Sequence, residues 1–141
     1  MIIDLLDCAP QVHTLVFHSV PWFKCSHWSI EQSEKFRRIS ETNVITHIVY
    51  NGECDLDEVK LLVKLCPRVQ HLSTCLDHGS GEPIIRFLTS RTNPDTSHLC
   101  VLHMRVSGKF WYERLNHLLE SERLLDDHTL KLIDSELYLW W

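Results

Sequence analysis

The stretch VKLLVKLCPRVQHL, residues 59–72, decides the fold, because it joins a helical pattern, a stop and a strand-like pattern in one short segment. Its apolar residues first recur at the i, i+3, i+4 and i+7 spacing of a helix face: Val59, Leu62, Val63 and Cys66. Pro67 then ends the helix. The stretch IIDLLDCAPQVHTL, residues 2–15, repeats this arrangement at a constant offset, which predicts an internal repeat of helix–strand units.

Helix and strand signals alternate along the rest of the chain. The predicted helices begin at residue 1, at Ser29 with Gln32 as a capping box, at Asp55 with Glu58, at Pro83, and at Ser107 or Gly108. The predicted strands cover residues 12–17, 43–50, 69–76, 99–106, 128–133 and 137–141, and an Asn51-Gly52 turn follows the second. The last two strands, separated by residues 134–136, predict a C-terminal hairpin at the sheet edge.

Four of the strands share one apolar pattern, with apolar or nearly apolar residues at i, i+3 and i+5. The four sets are Val12, Leu15 and Phe17; Ile45, Ile48 and Tyr50; Val69, Leu72 and Thr74; and Leu99, Leu102 and Met104. This pattern resembles the Leu-x-x-Leu-x-Leu strand of a leucine-rich repeat. The join from Leu65 to Leu72 is similar to the helix-to-strand corner of the repeats in F-box/leucine-rich-repeat proteins. The resemblance implies an α/β solenoid of about four to five irregular units of roughly 24–33 residues, with a parallel sheet.

Composition bounds the class of protein. With 141 residues the chain predicts a single domain over residues 1–141, and 44% hydrophobic with 23% charged residues is typical of a globular protein. The formal net charge of −5 and the scattered basic residues argue against nucleic acid or an anionic membrane as the partner. No apolar run reaches the length of a membrane span and the N-terminal stretch is unlike a signal peptide, so we expect the cytoplasm or nucleus, where the six cysteines are reduced thiols.

The apolar stripe starts abruptly at Ile2, which suggests a short array or a fragment of a longer one. An F-box would then lie outside this sequence. A doubly wound α/β domain is the structural alternative to the solenoid.

Ten histidines and six cysteines require a test for a metal site. The densest cluster consists of Cys75, His78, His98, Cys100 and His103. Cys100 and His103 are separated by an odd number of strand positions, so their side chains point to opposite faces and do not converge on one zinc ion. A smaller set is a weaker candidate for a metal site and consists of His18, Cys25 and His27. The expectation is therefore no metal and no cofactor.

Catalytic signatures are also missing from the sequence. The chain has no phosphate loop, no Gly-x-Ser-x-Gly and no His-Glu-x-x-His, and Cys66 on its apolar stripe predicts a packed thiol rather than a nucleophile. Asp55 and Glu58 are accounted for by helix capping. We therefore expect a protein that is not an enzyme, with a small metal-binding or enzymatic α/β domain as the alternative.

Protein binding is the function that these features favour. If the i, i+3 and i+5 residues point into the core, the residues between them form the other face of the sheet, where we predict the partner-binding residues His47, Val49, His71, Ser73, Val101, His103 and Arg105. The family resemblance implies substrate recognition in an F-box-type ubiquitin-ligase adaptor. An aromatic loop with Trp22, Phe23 and Trp28 is the other candidate for the binding surface.

Overall fold

A computed structural model describes residues 2–18, 33–76, 79, 81–106 and 109–141. The described chain is α/β: helices and strands alternate until a final hairpin. The helices are α1 Ile2–Cys8, α2 Glu34–Thr42, α3 Leu56–Leu65, α4 Gly81–Leu88 and α5 Lys109–Ser121. The strands are β1 Thr14–Phe17, β2 His47–Glu53, β3 His71–Cys75, β4 Val101–Arg105, β5 Thr129–Ile133 and β6 Glu136–Trp140.

The six strands form one mixed sheet in the order β1-β2-β3-β4-β6-β5. The first four are parallel and lie in chain order, while β6 runs antiparallel between β4 and β5. The four parallel strands follow chain order without a reversal, so they lack the switch point of a doubly wound domain. The C-terminal hairpin predicted at the edge is confirmed, with Leu137 and Leu139 fully buried.

The shared apolar pattern is buried on one face of the sheet in β2, β3 and β4, as predicted, whereas Val12 and Leu15 of the first set are only half-buried. Ile48, Leu72 and Leu102 occupy the same register position on adjacent strands, and none is more than 1% exposed. Thr74, the weakest match to the apolar pattern, is also fully buried, and its hydroxyl lies 2.8 Å from the Cys54 sulfur. Sequential parallel strands with crossovers of one hand place all helices on one side of a sheet.

The structure of α3 confirms the helix that was predicted from the stretch at residues 59–72. Asp55 caps its start and exchanges hydrogen bonds with Glu58 as a capping box, and the stripe Val59, Leu62, Val63 and Cys66 is buried. The equivalent prediction for α1 is partly wrong. Ile2 and Leu6 are buried, but Leu5 is 66% exposed and Ala9 is exposed, while Ile3 takes a buried place. The unit is the first in the sheet, so α1 has a packing neighbour, α2, on one side only among the described elements.

Two predicted element boundaries differ from the structure, and a third lies outside the described residues. The Ser29–Gln32 capping box lies outside the described residues, and α2 begins after Ser33, whose hydroxyl oxygen accepts a hydrogen bond from the Phe36 amide. The prediction of a turn at Asn51-Gly52 is wrong, because β2 continues to Glu53. Its pairing with β3 shifts register between Val49 and Glu53, which is consistent with a bulge at the glycine. Pro83 is the third residue of α4 rather than the first.

Candidate functional site

The face of the sheet opposite the helices carries the candidate site. We call it the open face and define it by the side chains that alternate with the buried ones: His47, Val49, His71, Ser73, Val101, His103, Arg105, Glu136, Tyr138 and Trp140. The strand register arranges them in rows across the sheet. The predicted pairs are confirmed, because His47 lies opposite His71 and Ser73 lies opposite His103.

His47 and His71 form the first row with Val101 and Trp140. The two imidazole rings are 5.4 Å apart between centroids, and the Nδ1 atom of His47 is 2.9 Å from the Thr46 hydroxyl. Burial, then the neighbouring His47 and His103, lowers the pKa of His71 below its ordinary value of 6.5. His71 is therefore a neutral, half-buried ring at neutral pH, while His47 is exposed.

A chain of hydrogen bonds crosses three strands in the middle of the open face. His103 Nε2 lies 2.7 Å from the carboxylate of Glu136, and His103 Nδ1 lies 2.9 Å from the hydroxyl of Ser73. In the neutral imidazole, Nε2–H donates to the carboxylate and Nδ1 accepts from the serine hydroxyl. The Tyr138 hydroxyl donates to the same carboxylate at 3.2 Å. The hydrogen bond from His103 is the largest cause that lowers the pKa of Glu136.

This Ser–His–Glu chain contains the three groups of a hydrolytic triad, but its surroundings do not suit nucleophilic catalysis. Ser73 is only 3% exposed, so its hydroxyl is not open to attack a substrate. It also lies in the middle of a strand, where the backbone amides bond to neighbouring strands and are not available as an oxyanion hole. The arrangement instead fixes the ring of His103, which has both nitrogens engaged.

Aromatic rings extend this fixed centre toward the sheet edge. His103 stacks on Tyr138 with centroids 4.4 Å apart and planes 9° from parallel, and Tyr138 stacks on Trp140 at 5.6 Å and 13°. Stacked, half-buried rings present rigid contact area with few rotamers to lose on binding. This strip makes the C-terminal half of the open face more aromatic than the half built from β2 and β3.

The structure brings the predicted residues together, although not with equal exposure. Ser73 is buried, and the guanidinium of Arg105 donates to the carbonyl oxygen of Tyr50 at 2.8 Å, so both contribute to the fold. His47 is exposed, while Val49, His71, Val101 and His103 are half-buried.

Sequence reasoning missed Glu136, Tyr138 and Trp140. The alternation Glu-Leu-Tyr-Leu-Trp was the signal, because it places these three side chains on the face opposite Leu137 and Leu139.

The other candidates are placed as follows. Trp22, Phe23 and Trp28 of the aromatic loop lie outside the described residues, as does His78 of the metal cluster. Among the residues that the structure does describe, no group of three or more His, Cys, Asp or Glu side chains converges as a metal site would require. Cys66 is fully buried, and burial raises its pKa to about 12.

In comparisons with known proteins, no family model, no curated protein and no solved structure matches the chain. The helices in the described part of the chain include none that is both long and apolar enough to cross a membrane.

Proposed function

We propose that this protein is a leucine-rich-repeat-like solenoid that acts, without catalysis, as a protein-interaction module and binds its partner through the open face. The observation that carries the proposal is the contrast between the two sheet faces. One is filled by the helices and fully buried at Ile48, Leu72 and Leu102, while the other presents rows of half-exposed histidine and aromatic rings.

A repeated backbone contact supports the solenoid. The carbonyl oxygen just before β1, that of His13, accepts hydrogen bonds from the amides of Thr46 and His47 at the start of the next unit. The carbonyls of Thr46 and Gln70 do the same for the units that follow them. One contact therefore recurs at all three junctions between the parallel strands. Units that each bond mainly to their neighbours are typical of solenoids.

The chemistry of the open face supports protein binding. The described charged groups on this side of the sheet are Arg105, Glu136 and, opposite Tyr138, Lys131, so both signs are present and neither dominates. Low bulk charge with aromatic rings, histidine and arginine suits a protein interface better than a nucleic-acid surface.

The resemblance at Leu65 to Leu72 extends this proposal to substrate recognition in an F-box-type ubiquitin-ligase adaptor, in the cytoplasm or nucleus. Those compartments are reducing and keep cysteines as free thiols, which is the state of the five described ones. The test of this role is whether loss of the chain slows degradation of the captured partner in cells.

The experiment for the open face uses a photo-crosslinking amino acid at His47, compared with the same group at Glu41 on the helix side. We expect a specific crosslinked partner from the first position only. The triple variant His47→Ala, His71→Ala, Trp140→Ala should recover that partner about tenfold less well, because a few central aromatic residues dominate most interfaces.

The matched control is the triple variant Arg37→Ala, Glu41→Ala, Lys60→Ala on the helices, with folding checked by circular dichroism. His103 and Arg105 are left intact because their internal hydrogen bonds would confuse binding with folding. Equal recovery by both folded triple variants would remove the open face from the proposal.

A further inference from the structure

We propose that the outer edge of β5 is a second binding site, which takes up an extended segment of a partner protein as an added strand, with an acidic residue between two apolar ones. The strand β5 ends the sheet order, and no described strand pairs with its outer side. An unpaired edge offers backbone hydrogen bonds to an incoming strand.

The register shows which backbone groups are available. The Trp141 amide donates to the Cys100 carbonyl at 3.2 Å, so the odd-numbered residues of this segment direct their backbone groups toward β4. The even-numbered residues of β6 therefore face β5, where Glu136, Tyr138 and Trp140 lie opposite Ile133, Lys131 and Thr129. The backbone groups of Leu130 and Leu132 then point outward, away from the sheet.

The side chains around this edge favour apolar residues on one side of the added strand. Leu130 and Leu132 lie opposite Leu139 and Leu137, on the helix-covered face of the sheet. With Tyr112 of α5 they line an open cavity of about 430 Å³ that also touches Lys131 and Ile133. Leu132 is 38% exposed. Partner residues paired with Leu130 and Leu132 would cover this apolar surface.

The charge of Lys131 indicates whether a second copy of this chain or a different chain pairs with the edge of β5. A second copy pairing through the outward groups of both leucines would place Leu130 opposite Leu132 of its partner and Lys131 directly opposite itself. Like charges opposite each other are destabilising in an antiparallel pair. A different chain with Glu or Asp at that position forms a favourable cross-strand pair instead. The edge thus fits a heterologous segment of apolar-acidic-apolar sequence.

The test measures binding of the labelled peptide Thr-Val-Glu-Val-Thr to the full chain by fluorescence anisotropy, with Lys or Gln replacing the central Glu in two further peptides. We expect the wild type to bind the Glu peptide about tenfold more tightly than the Lys peptide, and K131E to reverse this preference, because reversal exchanges an attractive pair for a repulsive one. The charge change K64E on α3 is the matched control and should leave the preference unchanged.

Backbone pairing has a readout of its own. On peptide binding, the amides of Leu130 and Leu132 should gain hydrogen-exchange protection, whereas the amide of Lys131, already bonded to β6, should not. The variant Leu132→Pro removes an outward donor without removing a bond to β6, and it should abolish binding. The triple variant of the open face changes neither the backbone of β5 nor Lys131, so this site stands if that variant has no effect on partner binding.

Two outcomes would overturn the inference. One is the absence of any gain in protection at Leu130 and Leu132 with peptide in the millimolar range. The other is a concentration-dependent increase in molecular size without peptide that Leu132→Pro abolishes, which would assign the edge to a second copy.

Discussion

At the scale of single residues, the turn between β5 and β6 holds two consecutive residues other than glycine at positive φ. Ile133 pairs with Glu136, so the turn has two residues, Asp134 and Ser135, with φ of 49° and 68°. Two positive φ values define the type I′ turn, whose twist matches that of the flanking strands. Aspartate tolerates this region, but serine carries a Cβ that is disfavoured there.

Ser135→Gly should therefore stabilise the protein, by about 0.5–1 kcal/mol, since the relief at positive φ exceeds the entropy that glycine adds to the unfolded chain. The measurement is urea unfolding followed by circular dichroism. Ser135→Ala is the matched control, because it keeps the Cβ and should give no gain. A lower midpoint for the glycine variant would contradict the assigned turn.

The Glu136 carboxylate makes stability depend on pH. Its hydrogen bond from His103 lowers its pKa below the ordinary value of 4.5, so its contribution is complete above that value and is lost as pH falls through the lowered one. We expect the wild type to lose more stability than Glu136→Gln between about pH 5 and pH 3. Unfolding curves across this range test the sign, and parallel pH profiles of the two proteins would contradict it.

At the scale of elements, a buried asparagine joins two helices. The side-chain nitrogen of Asn43, 3% exposed, donates to the carbonyls of Ile39 and Leu65 at 2.7 and 2.8 Å, and its oxygen accepts from the Ile45 amide at 3.2 Å. The bond to Leu65 satisfies a carbonyl at the end of α3 that has no partner within its own helix, whereas the Ile39 carbonyl also accepts the backbone amide of Asn43. One side chain thus fixes where two neighbouring units meet.

Asn43→Ala should destabilise the protein by about 2–4 kcal/mol, because buried backbone groups that lose a partner cost about 1–3 kcal/mol each. Asn43→Asp should be worse, since a carboxylate keeps the bond from Ile45 but repels the two carbonyls. Thermal or urea unfolding of both variants checks the order. An aspartate variant as stable as the wild type would refute the donor role of this side chain.

Asn43 also shows why the sequence predicted the helices and strands better than it predicted the contacts between their side chains. Periodicity reports which face of an element is apolar, so it predicted α3, the buried strand positions and the row that pairs His47 with His71. A lone polar residue has no period, and Asn43 gave no signal of burial. The chain of Ser73, His103 and Glu136 depends on residues more than 25 positions apart, which only the register brings together.

At the scale of the whole molecule, the sheet is a row of units in which each strand contacts its neighbours. The strands β3 and β4 have a partner on both sides, whereas β1 is only four residues long and pairs with β2 alone among the described strands. Val16 of this unit is 52% exposed and Leu5 is 66% exposed. In such a row, stability is approximately a sum of unit and neighbour contributions, so an end unit opens before the centre.

Amides of β1 should therefore exchange with solvent at least tenfold faster than those of β3, which corresponds to a difference in opening free energy of about 1.4 kcal/mol. Two matched leucine deletions separate local from global opening. Leu6→Ala removes a buried side chain of α1, which is lost in both kinds of opening, so it should accelerate exchange in β1 and β3 alike and keep the difference between them. Leu62→Ala, in the central unit, should cost ~2–5 kcal/mol and accelerate exchange in β3 more than in β1, because local opening of β1 leaves α3 folded. If Leu62→Ala accelerated β1 as much as β3, the units would unfold as one body, and the row of neighbour contacts would not describe how this protein holds together.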